Sequence, residues 1–362
     1  MFDRLKDDAH SWSPYPPGAA RGLIVLAVAI VVVGLSFGLL SRVRGAEIDG
    51  RVQSAKERIG HLAYFDKSLS RSGTQSCAGC HNPDPDYGYS NGLKVAVGPP
   101  DSRRGVLGVA NIPTLLFCLL REGHPTNSDG RTTGLRFCSV QAIADPLVFA
   151  NANVTEAANR LSRRKEYQEP AQIAFGRKKM TAPELRDCLV AFLHTITWDD
   201  LPADRLARGE EAALPAGALR GWKVVQRDCI VCHRPENGWQ DFEFHNAGLS
   251  GRARSAATGR ERVSGRAADR YHWLTSTFYG VANTPPYGHD GSIKDLDTAV
   301  SYFGSGGQYV RDGIAKRAEG LDPQIASIRE TREEMADVKD FLMFGFQGPG
   351  YPFKENPWRA PK

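Results

Sequence analysis

Two five-residue motifs, at residues 77–81 and 229–233, carry the clearest chemistry in the sequence. They read CAGCH and CIVCH, so each places two cysteines and a histidine in C-x-x-C-H spacing. In this spacing two thiols can form thioether bonds to one haem while the adjacent histidine binds its iron. We therefore predict covalent haem c at both motifs. The attachment residues would be Cys77, Cys80, Cys229 and Cys232, and the axial iron ligands His81 and His233.

Two other interpretations of paired cysteines fit the sequence less well. A thioredoxin-like redox pair does not explain why a histidine follows both pairs. A zinc site usually has its two cysteine pairs roughly 15–20 residues apart, whereas these pairs lie in opposite halves of the chain. Of the other cysteines, Cys118 and Cys138 could form a disulfide or stay free, and Cys188 is predicted to be a buried thiol.

The composition excludes several classes of protein. The chain has 362 residues, of which 41% are hydrophobic and 24% charged, and these proportions exclude a disordered chain and a polytopic membrane protein. The net charge of +5 comes from interspersed acidic and basic residues, so nothing indicates a nucleic-acid partner. The length suffices for two ordinary domains with hydrophobic cores.

An apolar segment near the N-terminus predicts a membrane anchor. Residues 22–40 contain no charged side chain, and as a helix they would extend about 28 Å, close to the thickness of a bilayer core. The apolar region of a signal peptide is usually shorter, about 7–15 residues. We therefore expect a single-pass anchor, preceded by a cytoplasmic tail over residues 1–21. Gly34 and Gly38 form a G-x-x-x-G pair against which another helix could pack.

Hydrophobic periodicity predicts a mainly α-helical protein with long loops. One helix should begin after Thr181, which can form a capping box with Glu184. The remaining helices are expected over about Val52–Tyr64, Val154–Tyr167, Ala216–Arg227 and Pro323–Phe344.

Each half of the chain repeats one order of features: a helix, a cysteine pair, long loops and a closing helix. This repeat predicts two cytochrome-c-like domains, an N-terminal haem c domain over residues 47–205 and a C-terminal haem c domain over residues 206–362. Because haem c is attached after export, we expect both domains in the periplasm and the anchor in the bacterial inner membrane.

The residues that flank the two motifs resemble the bacterial di-haem cytochrome c peroxidase/MauG superfamily. The similarity covers residues 60–345 in the family's order, with FDKSLS at 65–70, NIPT at 111–114, DGR at 129–131, FHNAGL at 244–249 and TPPYGHDGS at 284–292. The resemblance implies that the N-terminal haem meets hydrogen peroxide and that the C-terminal haem relays electrons. The electrons would come from a small donor, a cytochrome or cupredoxin, or from a protein substrate.

The resemblance also implies a calcium ion between the two domains. Asn111, Thr284 and Pro286 occupy the positions of its protein ligands, partly through backbone carbonyls, and calcium prefers oxygen ligands. His245 and His289 belong to two of the matching motifs, and each could bond a haem propionate or the backbone.

The sequence departs from the family around the first haem. No histidine lies between His81 and His124, so the second histidine ligand of the peroxidases is missing and the iron would be open, as in MauG. The family's distal acid, a general acid/base, falls on Ala152. Replacement catalytic groups could be Glu156, Asp145, His124 or Arg131, or the chain could lack such an acid.

Two more departures concern electron transfer and the second haem. The tryptophan that usually lies between the haems is Ser128 here. The far-side ligand of the second iron falls on Phe303, which has no ligand atom, and the neighbouring Tyr302 is the candidate sixth ligand.

Together these features predict a membrane-anchored di-haem c oxidoreductase that reduces hydrogen peroxide or uses it to oxidise a partner protein. The open first iron favours this function. The missing acid and tryptophan favour the alternative, a di-haem electron-transfer or accessory subunit of a membrane complex without peroxidase activity. An arginine-rich stretch over residues 252–270 could dock an acidic redox partner, neutralise propionates or form a solvated loop.

Overall fold

The computed structural model describes residues 49–81, 111–146, 148–197, 200–249, 258–307 and 320–347. The predicted tail and anchor, over residues 1–21 and 22–40, lie outside these residues. Within the described ranges, no helix is both long enough and apolar enough to cross a membrane. Residues Ser54–Lys362 form one compact unit, and the sites described below belong to it.

The described part of the chain is mainly α-helical, as predicted. The first helix, α1, covers residues 49–65. It is followed by α2 (Cys77–Cys80), α3 (Gly134–Ala144), α4 (Val154–Ser162), α5 (Lys165–Phe175), α6 (Ala182–Leu193), α7 (Pro202–Ala207), α8 (Ala216–Asp228), α9 (Glu261–Ser264), α10 (Leu296–Gly304), α11 (Pro323–Ser327) and α12 (Arg332–Phe344). Short 3-10 helices cover Lys67–Leu69, Cys118–Arg121, Pro235–Asn237, Ala267–Asp269 and Val281–Asn283.

Two small antiparallel ladders join loops between the helices. One pairs β1 (Pro125–Thr126) with β2 (Thr132–Thr133), and the other pairs β3 (Phe244–His245) with β4 (Trp273–Leu274). Each strand has two residues, which is too short to produce an alternating pattern in the sequence.

Four of the five predicted helices begin at their expected residues, and α1 begins at residue 49, three residues before Val52. Two of the predicted helices are interrupted in their interiors. The Thr181 capping box is confirmed, since its hydroxyl and Glu184 exchange hydrogen bonds with each other's backbone N–H. The helix expected over 154–167 is divided, because Arg164 adopts an extended conformation between α4 and α5. The helix expected over 323–344 is also divided, because Ile328 is extended and Thr331 begins α12 with a second capping box.

Helices α8 and α12 pack along each other at very short range. A Cβ atom added to Gly221 would lie 1.9 Å from the Asp337 carbonyl oxygen, so only glycine permits this approach. Val225 and Phe341 are fully buried in the same region, and burial of each such side chain stabilises the fold by about 1.5–3 kcal/mol. This pair of helices fixes the end of α8, where the second motif begins.

The largest hydrophobic cluster draws residues from both predicted halves. Tyr64 and Leu193 come from the first half, and Trp239 and Phe341 come from the second. A second cluster joins α1, α4 and α6. The division into domains at residue 205 stays a prediction.

Candidate haem sites

The first motif forms a single helical turn. Cys77 and Cys80 begin and end α2, and the backbone N–H of His81 donates to the Cys77 carbonyl at 2.8 Å. Tyr64, buried on α1, donates its hydroxyl proton to the His81 carbonyl oxygen. The turn therefore places both thiols and the histidine ring together, as haem c attachment requires. The residues that follow, 82–110, lie outside the described part of the chain.

The second motif begins where α8 ends. The backbone N–H of His233 donates to the Cys229 carbonyl at 2.9 Å, which closes a turn with both cysteines on it. The His233 ring stacks on Phe278 with centroids 3.8 Å apart, and its Nδ1 atom lies 3.1 Å from the Trp239 carbonyl oxygen. This hydrogen bond leaves Nε2 as the nitrogen that can bind iron. Burial lowers the pKa of His233 to about 4, so the ring is in the neutral form that metals bind.

Trp239 links this histidine to helix α7. Its indole N–H donates to Asp204 Oδ1 at 2.7 Å, and the Tyr279 hydroxyl donates to the same oxygen at 3.1 Å. Trp239 is fully buried, and burial raises the pKa of Asp204. No sequence pattern predicts this chain of contacts, because its members lie far apart and follow no motif.

A cavity of about 340 Å³ adjoins the second motif. Its wall includes Cys229, Cys232 and His233 beside mainly apolar side chains, among them Phe278, Val300, Phe303, Ile325 and Leu342. Arg121, His289 and Glu330 add polar groups to the wall. An apolar pocket with a few polar groups is the usual setting for a haem-sized cofactor.

His289 provides an independent test of whether this cavity fits a haem. Its ring stacks on Trp273 at 4.1 Å, and both ring nitrogens are buried with no hydrogen-bond partner among the described residues. Buried polar atoms are normally hydrogen-bonded, so the two His289 nitrogens need a partner inside the cavity. The propionates of a bound haem would supply one. The two thiols, the oriented His233 and the unpaired His289 nitrogens all fit haem c.

Tyr302, the predicted sixth ligand, does not line this cavity. The Tyr302 side chain is buried in a small cluster with Leu249 and Ile293, and its hydroxyl donates to the Ala247 carbonyl at 2.6 Å. Its neighbour Phe303 lines the cavity instead. Iron ligation by Tyr302 stays a prediction that this arrangement does not support.

Three of the candidate replacement catalytic residues are engaged elsewhere. Glu156 accepts a hydrogen bond from the Ala152 N–H at 2.9 Å and pairs with Arg160 at 3.1 Å, and these contacts lower its pKa. His124 is exposed and stacks on Phe242 at 3.7 Å. Arg131 pairs with the buried carboxylate of Asp129 at 2.9 Å. A catalytic role for Glu156, His124 or Arg131 stays a prediction.

Two of the three predicted calcium ligands lie together. The Asn111 amide nitrogen donates to the Pro286 carbonyl at 2.6 Å and to the Gly288 carbonyl at 3.2 Å, while its oxygen accepts the Ile112 N–H. The Thr284 hydroxyl donates to the Val281 carbonyl. Calcium would need the Asn111 amide to turn its oxygen towards the ion, because only oxygen atoms bind it.

His245 is held between two carboxylates that no sequence motif indicates. Its Nε2 lies 2.9 Å from Asp241 and its Nδ1 lies 2.7 Å from Asp322. The hydrogen bond with Asp241 raises the pKa of His245. The sequence could hardly predict this arrangement, because Asp322 is distant in sequence from the FHNAGL motif that contains His245.

The other cysteines and the arginine-rich stretch have structural contacts. Within the described residues Cys118 and Cys138 are not bridged, because Cys118 Sγ faces the Leu193 carbonyl and Cys138 Sγ faces Asn127. Cys188 is buried, as predicted. Arg260 donates to the Gly130 carbonyl at 2.9 Å, whereas Arg262, Arg266 and Arg270 are exposed.

Comparison with known proteins supports the same assignment. Residues 54–212 match the family model described as di-haem cytochrome c peroxidase. The methylamine utilization protein MauG of Methylorubrum extorquens is 30% identical over 294 residues, which cover 79% of this chain and 77% of that protein. The cytochrome c551 peroxidase of Nitrosomonas europaea is 26% identical over 249 residues, which cover 68% and 72% of the two chains.

Solved structures share the fold. A MauG-like protein associated with microbial copper homeostasis aligns with a TM-score of 0.71 and 23% identity, covering 84% of this chain and 93% of that chain. The dihaem peroxidase BthA of Burkholderia thailandensis aligns with a TM-score of 0.63 and 18% identity, covering 80% and 85%. With two C-x-x-C-H turns, a cavity lined by the second motif and these relatives, the chain belongs to the di-haem cytochrome c peroxidase/MauG superfamily.

Proposed function

We propose that this chain carries haem c at both motifs and either reduces hydrogen peroxide or uses it to oxidise a partner protein. It is a haem oxidoreductase by family, and the oriented, neutral His233 beside two thiols is the observation that carries the assignment. Bound haem c supplies iron that can accept peroxide and exchange electrons. The chain's own residues hold, orient and shield the two haems.

The surroundings of the two motifs suit different tasks. At the second motif, Trp239 and Phe278 fix the His233 ring, and the cavity wall is mainly apolar. At the first motif, the sequence offers no histidine between His81 and His124 to cap the iron. Following the division of roles in the family, we assign peroxide binding to the first haem and electron relay to the second.

Electron paramagnetic resonance of the oxidised holoprotein tests this function. We expect a high-spin ferric signal from the first haem that disappears after one equivalent of hydrogen peroxide. A variant with both Cys77→Ala and Cys80→Ala, which cannot attach the first haem, should lose this signal, whereas one with both Cys229→Ala and Cys232→Ala should retain it. Two low-spin haems that do not respond to peroxide would contradict the proposal.

One observation favours the alternative of an electron-transfer or accessory subunit of a membrane complex. Glu156 and Arg131, two of the candidate catalytic residues, are already paired with Arg160 and Asp129. A subunit of this kind would show no peroxide turnover and would co-purify in stoichiometric amounts with a membrane complex. Steady-state peroxide consumption by the purified protein separates the two functions.

We also propose that residues 22–40 anchor the protein in the bacterial inner membrane with the haem domains in the periplasm. The support is the length and apolarity of this segment and the export that haem c attachment requires. Fractionation after an alkaline wash tests it. The full chain should stay with the membranes, and a chain that begins after residue 46 behind a cleavable signal should be released.

The exposed Arg262, Arg266 and Arg270 would form a docking surface for an acidic cytochrome, cupredoxin or protein substrate. Reversal of charge at Arg262 and Arg266 should weaken the salt dependence of electron transfer from an acidic donor. The matched control is Lys165→Glu, which reverses one charge on α5. No change in salt dependence would exclude this surface.

A further inference from the structure

Glu330 lies at the break between α11 and α12, and this break brings it to the wall of the second haem cavity. Its backbone N–H donates to the Gly304 carbonyl at 2.8 Å, which ties it to the end of α10. Gly304, Phe303 and Cys229 line the cavity together with Glu330. Glu330 therefore shares this cavity wall with Phe303 and with Cys229 of the second motif.

Gly304 makes room for this carboxyl group. A Cβ atom added to Gly304 would lie 2.6 Å from Glu330 Oε2 and 2.9 Å from Met335 Cγ, so a side chain there would displace the carboxylate. Glu330 Oε2 is buried and has no hydrogen-bond partner in the described part of the chain. A buried carboxylate oxygen without a donor is costly when ionised.

The charges around Glu330 do not neutralise it. Asp228 at the end of α8 and Glu334 on α12 are negative, and the nearby Arg227 is bonded to both, at 2.7 Å in each case. From α10 the facing residue is Gly304, which has no ionisable group. Burial, followed by the charges of Asp228 and Glu334, raises the pKa of Glu330 to about 7, against a smaller opposite effect of Arg227.

We propose that Glu330 takes up a proton from solvent when the haem of this cavity is reduced and releases it when the haem is oxidised. The proposal rests on the proposed haem at Cys229 and Cys232. One electron enters from the donor protein, one proton binds the carboxylate oxygen, and the O–H bond is the only bond formed. Glu330 is thus a tuning residue that couples electron relay to protons and does not bind iron.

The direction of the effect follows from electrostatics. An added electron in a cavity of low dielectric constant favours the neutral carboxyl and raises the pKa of Glu330 further. The reduction potential of the second haem should then fall as pH rises through the interval between the two pKa values. The limiting slope is about 59 mV per pH unit. One pH unit is a tenfold change in proton concentration, and for a one-electron couple a tenfold change corresponds to about 59 mV.

Spectroelectrochemical titration of the holoprotein, from about one pH unit below the Glu330 pKa of about 7 to about two units above it, tests this proposal. We expect the potential of the second haem to fall with pH in the native protein and to change much less in Glu330→Gln. The matched control Glu333→Gln removes the same charge at an exposed position three residues away, and it should keep the native slope.

Proton uptake by the native protein provides a measurement that needs no variant. Reduction in weakly buffered solution at neutral pH should consume protons, and Glu330→Gln should consume fewer. A native potential that does not vary with pH, or a full slope in Glu330→Gln, overturns the proposal. A change of spin state in Glu330→Gln would make Glu330 an iron ligand and also overturn it. Absence of haem at Cys229 and Cys232, seen by mass and pyridine haemochrome, would instead contradict the proposed function.

Discussion

Tyr302 and Phe303 are neighbours on α10, but their side chains have different surroundings. The Tyr302 hydroxyl donates to the Ala247 carbonyl, and burial raises its pKa to about 12, so at neutral pH it remains a hydrogen-bond donor. Phe303 lines the cavity. At the scale of single residues, the second iron should therefore take no ligand from Tyr302.

The variant Tyr302→Phe tests this arrangement. Loss of one buried hydrogen bond should lower the free energy of unfolding by about 1 kcal/mol, and the absorption and resonance spectra of the second haem should stay as in the native protein. Phe303→Met is the contrasting variant, because it adds a thioether to the cavity wall and should give a low-spin second haem. A spectral change in Tyr302→Phe would establish Tyr302 as the sixth ligand.

At the scale of elements, the contact between α8 and α12 determines where the second motif lies. Gly221→Ala would place a Cβ atom 1.9 Å from the Asp337 carbonyl, a backbone atom that can move only if the helices separate. We expect a loss of several kcal/mol, about the size of a core overpacking defect or more, and poor haem incorporation at Cys229. Thermal unfolding and haem content measure both effects.

Gly217→Ala is the matched control on the same helix. Its added Cβ would lie 2.5 Å from Asp340 Oδ2, the end of a flexible side chain that can rotate away. Alanine also favours helix over glycine by about 1 kcal/mol. We expect native or slightly higher stability, and equal damage by both substitutions would show that the α8–α12 contact is not the cause.

The capping box of α12 fixes where this helix begins, directly after Glu330. Thr331→Ala removes the side-chain acceptor of the Glu334 N–H, and loss of such a cap costs about 0.5–2 kcal/mol. We expect this variant also to reduce the pH dependence of the second haem's potential. Thr181→Ala removes the equivalent cap of α6 and should lower stability alone, so a potential that changes in both variants would contradict the link.

The same break shows where prediction from the sequence ends. Haem attachment, the mainly helical fold and the α6 cap follow from local patterns, which involve residues within a few positions of each other. Ile325, Ile328 and Met335 keep helical spacing through the break, so periodicity hid it, although Thr331 and Glu334 carried the signal for a new helix. Contacts such as His245 with Asp322 have no local pattern, because folding alone brings the residues together.

At the scale of the whole molecule, a contact between distant segments joins the two halves of the sequence. Asn111 and Pro286 are 175 residues apart and meet through a hydrogen bond of 2.6 Å. A calcium ion bound there by Asn111, Pro286 and Thr284 would tie these segments together only in the folded chain. By linkage, an ion that binds the folded state alone stabilises it in proportion to the logarithm of its concentration.

Calcium removal tests this link. We expect a chelator to lower Tm of the holoprotein and added calcium to restore it. At a calcium concentration one hundred times Kd, the free energy of unfolding should rise by about 2.7 kcal/mol. Asn111→Ala should lower Tm and abolish the response, whereas Asn153→Ala, which removes a helix cap elsewhere, should lower Tm and keep it. Magnesium should not replace calcium, because it demands near-ideal octahedral geometry. A native Tm that does not respond to the chelator would mean that the Asn111–Pro286 hydrogen bond and the other contacts between these segments join them without an ion.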